Sequence, residues 1–333
     1  MSLAPHAPDP DAPVLAVEDL SVAFGRVRVV DGVSFRVEAG KTLAIVGESG
    51  CGKSMTALAL SRLLPKGARS GAKRIALLGE DLTRVPERRM QELRGSAIGM
   101  IFQEPMTALN PVLTVGSQIV ETLVKHEGLG RRAARERAAD LLARVGIPDA
   151  HDRLSDYPHQ LSGGMRQRVM IAIAIACGPR LLVADEPTTA LDVTIQAQIL
   201  ELLRGLQEEL GMAIILITHD LGVVSSFADH VSVMYAGRIV EDAEADALFR
   251  LPAHPYTRAL IGSIPSSDED RPRLKAIEGT VPTPADWPSG CRFRTRCGHA
   301  ADVCAEAIPP FVPTPSGVAA CVRLDSVLGE RAA

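Results

Sequence analysis

Hydrophobic and polar positions in the first part of the chain predict short strands followed by a strand, loop and helix. The segment Val14 to Glu38, VLAVEDLSVAFGRVRVVDGVSFRVE, is rich in Val and Phe and is interrupted at Gly25 and at Asp31-Gly32. This pattern is typical of antiparallel strands joined by turns. The next stretch, AGKTLAIVGESGCGKSMTALALSRLLP, passes from an apolar strand through a Gly-rich loop into a helix that ends at Pro65.

The rest of the pattern alternates strands with helices. Val115 to Val145 has helical periodicity with many Arg and Glu residues, and TIQAQILELLRGLQEEL is amphipathic. Further strands are predicted in RIALLGEDL, AIGMIFQE, LLVADEP, AIILITHD and HVSVMYAGRIVED. Strands that alternate with helices indicate an α/β fold with a largely parallel sheet.

A change of composition predicts a domain boundary near Ile264. Beyond it the chain reads PSSDEDRPRLKAIEGTVPTPADWPSG, which is dense in Pro, Asp and Ser. We therefore predict a disordered tail over 1–12, a main domain over 13–264 with a helical part at about 104–176, and a small Cys-rich C-terminal region over 265–333. The C-terminal region has little periodicity, so a bound metal centre would help to keep it ordered.

Composition and charge exclude several classes of protein. The 333 residues include 46% hydrophobic, 23% charged and 3% aromatic residues, with a net charge of -4. That charge disfavours a nucleic-acid partner, because binders of the phosphate backbone usually carry a basic face. The Pro- and Asp-rich start is unlike a signal peptide. The longest apolar run, Val169 to Cys177, is shorter than the roughly 20 residues that a membrane helix needs.

The loop from Gly47 to Ser54, GESGCGKS, matches the phosphate-loop pattern G-x-x-x-x-G-K-[ST]. Its glycines let backbone N–H groups surround phosphates, Lys53 can reach the β- and γ-phosphates, and Ser54 can ligate Mg²⁺. The start of the following helix adds its positive dipole end. The predicted nucleotide-binding residues here are Gly47, Glu48, Ser49, Gly50, Cys51, Gly52, Lys53 and Ser54.

Two carboxylates end the apolar strand LLVADEP. Ligands of such folds bind at the carboxyl edge of the parallel sheet, where Asp185 and Glu186 would lie. We predict that Asp185 holds the Mg²⁺ shell and that Glu186 polarises the attacking water.

A second candidate anion site lies at LSGGMRQR, where Ser162, Gly163 and Gly164 precede a helix. With the phosphate loop before it and the Asp-Glu strand after it, this stretch resembles the signature sequence of the ATP-binding cassette (ABC) family. The resemblance covers roughly Val14 to Ile264. It implies a phosphate-loop NTPase fold of the ABC type, with an antiparallel β subdomain and a helical subdomain.

The same resemblance assigns four further residues. Phe24 corresponds to the adenine-stacking residue, Gln103 in MIFQEP to the Q-loop, Asp192 in ALD to the D-loop and His219 in ITHD to the switch histidine. By resemblance Gln103 is also a Mg²⁺ ligand. Family membership implies a head-to-tail dimer that sandwiches ATP between the phosphate loop of one subunit and Ser162, Gly163 and Gly164 of the other.

Some segments resemble one branch of the family more closely, the ATPase subunits of dipeptide and oligopeptide importers. These are QEPMTALNP, SGGMRQRVMIAIA, EPTTALDVTIQAQIL, HPYTRAL and IEGTVPTPADWPSGCRFRTRCGHAADVC. The resemblance implies an ATPase at the cytoplasmic face of the membrane, with two transmembrane permease subunits and, indirectly, an extracytoplasmic solute-binding protein. Importers of nickel or other small solutes belong to the same branch. A soluble ABC ATPase acting on nucleic acid or the ribosome is the alternative of another class.

Four cysteines lie in the C-terminal region, namely Cys291, Cys297, Cys304 and Cys321. Without an export signal, they are expected to be reduced thiols, which favours metal or cluster ligation over disulfides. Members of the peptide-importer branch can hold a [4Fe–4S] cluster at such positions, and four thiolates are the required ligand number. Zinc, unliganded thiols, a disulfide and a redox- or iron-sensing module remain alternatives. Arg292, Arg294 and Arg296 would lower the thiol pKa values or form a solvated basic strip.

Overall fold

The structure is a computed structural model that describes residues 12–189, 191–264 and 277–329. Except for residue 12, the predicted disordered tail lies outside the described residues, as does the stretch 265–276 that begins the predicted C-terminal region. Among the described helices, none combines the length and the apolar composition needed to cross a membrane.

The described chain forms two compact units. The first unit contains residues 84–216 with two short segments, 12–14 and 37–40. The second unit contains residues 15–36, 41–83 and the described residues from 217 to 329.

Up to residue 83 the chain is mostly strand. The elements are β1 (Leu15–Phe24), β2 (Val27–Val37), β3 (Thr42–Val46), α1 (Lys53–Leu60), β4 (Ala68–Gly71), β5 (Arg74–Leu77) and β6 (Glu80–Asp81). One sheet has the strand order β2-β1-β5-β6, and β4 also pairs with β1. The pairs β1–β4, β1–β5 and β5–β6 are antiparallel. The antiparallel sheet predicted from the sequence is confirmed.

Helices dominate the first unit. Its elements are α2 (Glu87–Leu93), β7 (Ile98–Ile101), α3 (Pro105–Ala108), α4 (Val115–Glu127), α5 (Arg131–Arg144), α6 (Ala150–Arg153), α7 (Gly163–Ile175), β8 (Leu181–Asp185), α8 (Val193–Leu210) and the first part of β9 (Ala213–Thr218). In α4 the residues at a spacing of four, Val115, Ile119 and Leu123, are all buried, which is the pattern of a helix with one apolar face. The predicted helical stretch is confirmed.

The second unit continues with short elements. They are α9 (Leu221–Phe227), β10 (His230–Tyr235), β11 (Arg238–Glu244), α10 (Ala245–Arg250), α11 (Pro255–Gly262), α12 (Val303–Glu306), β12 (Val312–Pro313), β13 (Gly317–Ala319) and α13 (Leu324–Gly329). The strands of this unit follow the order β12-β13-β11-β10-β3. The sequence did not predict β12 or β13.

The sheet strands are mixed in direction rather than largely parallel. In the second unit β3 pairs parallel with β10, but β10–β11, β11–β13 and β12–β13 are antiparallel. In the first unit β7 and β8 are parallel. The prediction of a largely parallel sheet is therefore wrong for the outer strands, because Ala236 and Gly237 turn the chain back from β10 into β11 with positive φ angles of 43° and 82°.

The core of the second unit lies between β3, β10 and the residues around Phe293. Val46, Tyr235, Tyr256 and Phe293 are buried in one hydrophobic cluster, against which Cys291 and Cys297 pack. The rings of Tyr235 and Phe293 meet edge to face with centroids 5.2 Å apart. Part of the C-terminal region is therefore built into this core.

Candidate functional site

The phosphate loop connects β3 to α1 and has a shape that only glycine permits at two positions. Gly47 and Gly52 have φ angles of 152° and 108°. A Cβ atom on Gly47 would lie 2.1 Å from the Met234 carbonyl oxygen, and one on Gly52 would lie 2.8 Å from the Val29 carbonyl oxygen. Glycine at these two positions therefore lets the loop backbone pack closely against β10 and β2.

Lys53 and Cys51 lie on the inner side of this loop. Lys53 is buried and its Nζ donates hydrogen bonds to the carbonyl oxygens of Gly47 at 2.8 Å and Glu48 at 3.1 Å. Cys51 is fully buried, and burial raises the pKa of its thiol. Cys51 therefore fills space under the loop. Ser49 is exposed and Ser54 is half-buried in the first turn of α1.

Glu48 is held by two residues that the sequence did not assign to the site. Its backbone N–H donates to Tyr256 Oη at 2.9 Å. Its carboxylate accepts two hydrogen bonds from Arg296, from Nη1 at 2.7 Å and from Nη2 at 3.0 Å. These contacts join residues more than 200 positions apart. Tyr256 and Arg296 lie in segments that resemble the peptide-importer branch, but nothing in those segments predicted contacts with Glu48.

Phe24 and His219 also belong to the second unit. Phe24 ends β1 with 37% of its side chain surface exposed, so its ring is accessible for stacking on a base. His219 is exposed directly after β9. The next residue, Asp220, caps α9 by accepting from the N–H of Gly222 at 2.8 Å, which fixes the backbone beside the histidine.

In the first unit the structure brings Gln103 and Glu186 together. Gln103 follows β7 and Glu186 follows β8, and these parallel strands end at one edge. Gln103 Nε2 donates to Glu186 Oε2 at 3.2 Å, and Thr189 Oγ1 donates to the same oxygen at 2.8 Å. Asp185, at the end of β8, is 5% exposed.

The backbone at Glu186 is in the left-handed region, with a φ of 47°. A residue other than glycine pays a conformational cost there, and such residues cluster at functional sites. Together with the two hydrogen bonds, this backbone geometry fixes the carboxylate at the edge of the sheet.

Ser162, Gly163 and Gly164 form the start of α7, as predicted. Ser162 Oγ caps the helix by accepting from the N–H of Met165 at 3.3 Å. A Cβ atom on Gly164 would lie 3.1 Å from Ile195 Cγ2 on α8. Asp192 caps that helix by accepting from the N–H of Ile195 at 2.9 Å. The predicted signature and D-loop residues are therefore neighbours within the first unit.

The four cysteines of the C-terminal region line one small cavity, together with residues that include His254, Phe293 and His299. Its volume of about 10 Å³ is no more than one water molecule needs. Across residues 12–189, 191–264 and 277–329, no three His, Cys, Asp or Glu side chains are arranged to hold a metal ion. The four thiols therefore share a cavity without forming a coordination shell, and this geometry does not support the predicted cluster.

Burial, and not the neighbouring arginines, is the largest influence on the pKa values of Cys291, Cys297 and Cys321. Burial raises the pKa of Cys291 to about 11 and also raises the pKa values of Cys297 and Cys321. Arg292 instead pairs with Asp31, and Arg296 pairs with Glu48. Arg294 bonds to Ser289. The interpretation that these arginines lower the thiol pKa values is wrong for Cys291, Cys297 and Cys321, whose pKa values are raised by burial.

Comparison with known families and proteins gives consistent matches. The family model described as ABC transporter matches residues 30–189. A second model, described as the C-terminal region of oligopeptide/dipeptide transporters, matches residues 240–304.

Two curated relatives match almost the whole chain. A putative peptide import ATP-binding protein of Brucella abortus (strain 2308) is 53% identical over 303 residues, which are 90% of this chain and 91% of that protein. The dipeptide transport ATP-binding protein DppD of Escherichia coli (strain K12) is 51% identical over 300 residues, covering 89% of this chain and 92% of that protein.

A solved structure shares the fold. The dimeric post-hydrolysis state of the ATP-binding cassette MJ0796, bound to ADP and Pi, has a TM-score of 0.62 and 26% identity. The match covers 69% of this chain and 98% of that one.

Proposed function

The chain belongs to the ABC transporter family and carries the C-terminal region of oligopeptide/dipeptide transporters, and from this premise we propose that it hydrolyses ATP to energise the import of dipeptides or oligopeptides. The observation that carries the proposal is the glycine-built phosphate loop between β3 and α1. The names of the Brucella and E. coli relatives, which describe peptide or dipeptide import, support the choice of cargo.

Within this function each site residue has a role. The loop residues Gly47 to Ser54 bind the phosphates of ATP, and Phe24 stacks on the adenine. By resemblance to the family, Asp185, Ser54 and Gln103 would each supply an oxygen donor of the kind that Mg²⁺ prefers. When bound, Mg²⁺ neutralises charge on the phosphates. Glu186 polarises the attacking water, and its contacts with Gln103 and Thr189 hold the carboxylate in place. By resemblance to the ABC family, His219 is the switch histidine.

The chain works as part of an assembly. Ser162, Gly163, Gly164 and Asp192 lie beside one another and complete the nucleotide site of a second ATPase subunit, either another copy or a homologue, in a head-to-tail dimer. The dimeric state of the MJ0796 cassette supports this arrangement. Two transmembrane permease subunits bind the dimer at the cytoplasmic face of the membrane, and a solute-binding protein delivers the peptide on the other side.

Within this chain, the proposed main domain spans 13–264 and the proposed C-terminal region spans 265–333.

The test is a comparison of wild-type chain with Glu186→Gln, in vesicles that contain the permease subunits. The wild type should hydrolyse ATP and accumulate dipeptide or oligopeptide. The variant should bind ATP but lose at least about 99% of turnover and uptake, since loss of one preorganised catalytic group typically costs 10²- to 10³-fold. Thr122→Ala, a substitution on α4 away from these residues, serves as the control. Turnover in Glu186→Gln at the wild-type rate would contradict the assignment.

For the four cysteines we propose ligation of a [4Fe–4S] cluster. The number and kind of donors match, since Cys291, Cys297, Cys304 and Cys321 provide four thiols around one cavity, but their arrangement in the structure is not that of a coordination shell. To admit the cluster, the thiols must move outward and lose their protons. The raised pKa values of Cys291, Cys297 and Cys321 oppose that loss until the positive charge of iron compensates for it.

Iron, acid-labile sulfide and zinc should be measured in chain purified without oxygen. The proposal expects about four iron and four sulfide per chain and their loss in Cys297→Ser, with Cys177→Ser as the control because Cys177 does not line the cavity. Zinc alone, or no metal, would overturn the cluster.

A further inference from the structure

Glu48 is the second residue of the phosphate loop, and its carboxylate is bound by a guanidinium from the C-terminal region. Arg296 donates from Nη1 to Glu48 Oε2 at 2.7 Å and from Nη2 to Glu48 Oε1 at 3.0 Å. This two-point geometry fixes both the position and the plane of the carboxylate. The Arg296 side chain is 4% exposed and that of Glu48 is 28% exposed, so water screens the pair only in part.

The guanidinium is itself held in place from several sides. Arg296 Nε donates to the Glu278 carbonyl oxygen at 2.8 Å, and Nη2 donates to the carbonyl oxygens of Ile277 and Gly279 at 3.2 Å each. Its hydrogen bonds to Glu48 raise the pKa of Arg296. The Arg296 guanidinium is therefore fixed in orientation, and the Glu48 carboxylate binds to it through two hydrogen bonds.

The rest of Glu48 is equally constrained. Its N–H donates to Tyr256 Oη at 2.9 Å, and its carbonyl oxygen accepts from Lys53 Nζ at 3.1 Å. Glu48 therefore shares with Gly47 the two carbonyl oxygens that hold the Lys53 ammonium. Displacement of Glu48 would disturb the loop backbone and the Lys53 ammonium that the Glu48 carbonyl oxygen binds.

We propose that Arg296 is a positioning residue for ATP binding. It acts through Glu48 and does not contact the nucleotide. Because the Arg296–Glu48 pair holds the loop segment whose carbonyl oxygen binds Lys53, it sets the affinity of the loop for phosphates. This inference rests on the proposed nucleotide site at Gly47 to Ser54.

The test is a double-mutant cycle on the dissociation constant of a fluorescent ATP analogue with Mg²⁺, using Arg296→Gln, Glu48→Gln and the double variant. Each single variant should weaken binding by about tenfold, and the double variant should be no weaker than either, since one interaction is lost in all three. KM for ATP should rise with kcat unchanged. Arg296→Lys, which keeps the charge but not the fork, should restore part of the affinity.

Arg294→Gln is the matched control, because Arg294 lies two residues away and bonds to Ser289 instead of the loop. It should bind the analogue as the wild type does. Unfolding by urea is measured on every variant. A purely structural role would lower stability and leave the dissociation constant of folded protein unchanged, which would overturn the proposal. The proposal would also be overturned if the dissociation constant of the double variant rose by the product of the two single-variant increases. Wild-type binding in Lys53→Ala would instead contradict the nucleotide site.

Discussion

At the scale of single residues, Glu241 on β11 is a carboxylate with no exposed surface. It accepts hydrogen bonds from the N–H groups of Ala253 at 2.7 Å and His254 at 2.8 Å. Burial is the largest influence on this group, and it raises the pKa of Glu241 above its ordinary value of 4.5. The folded chain therefore holds this proton more tightly than the unfolded chain does.

The raised pKa predicts a pH-dependent effect of Glu241→Gln. The stabilisation from the bound proton is complete below pH 4.5 and is lost as pH rises through the folded pKa. The free energy of unfolding of the wild type, relative to the variant, should thus fall above pH 4.5 by up to about 1.4 kcal/mol per pH unit. Urea unfolding at a series of pH values measures it. Glu244→Gln, an exposed glutamate on the same strand, is the control. A difference that does not change with pH would contradict the prediction.

At the scale of elements, the sequence predicted the strands and helices that are long or have a strong hydrophobic pattern. The buried run of β3, the amphipathic α8 and the stop of α1 before Pro65 all follow from local pattern. The strands β12 and β13 have only two and three residues, too few for an alternation of buried and exposed positions to appear. These strands form only by pairing with β11, which lies far away in sequence. Their own residues therefore did not predict them.

The candidate site likewise contains residues that local sequence motifs predicted and residues that only the tertiary fold brings together. The loop glycines, Lys53 and the Asp185-Glu186 pair belong to motifs whose chemistry depends on near neighbours in sequence. Arg296 and Tyr256 reach Glu48 only through the tertiary fold. The sequence showed a strip of arginines between cysteines, but their partners Asp31, Ser289 and Glu48 are set by the tertiary fold and not by spacing.

At the scale of the whole molecule, Phe293 ties the C-terminal region into the core of the second unit. Its side chain is 3% exposed and its ring lies 5.3 Å from that of Tyr256. Phe293→Ala should lower the free energy of unfolding by about 3–5 kcal/mol, because it leaves a cavity among buried rings.

Phe311→Ala, in the same region, is the matched control. That side chain is 47% exposed, so the loss should stay within about 1 kcal/mol. Urea unfolding followed by circular dichroism gives both values. Equal losses in the two variants would show that Phe293 is not part of a close-packed core.

Because β13 pairs with β11, one edge of β11 stays unpaired during part of the synthesis of the chain. β11 ends at Glu244, whereas its outer neighbour begins only at Gly317. At roughly 5–20 residues per second, a ribosome takes about 4–15 seconds to deliver that strand. During this interval the outer edge of β11 has no partner from its own chain, and an open edge can pair with other nascent chains.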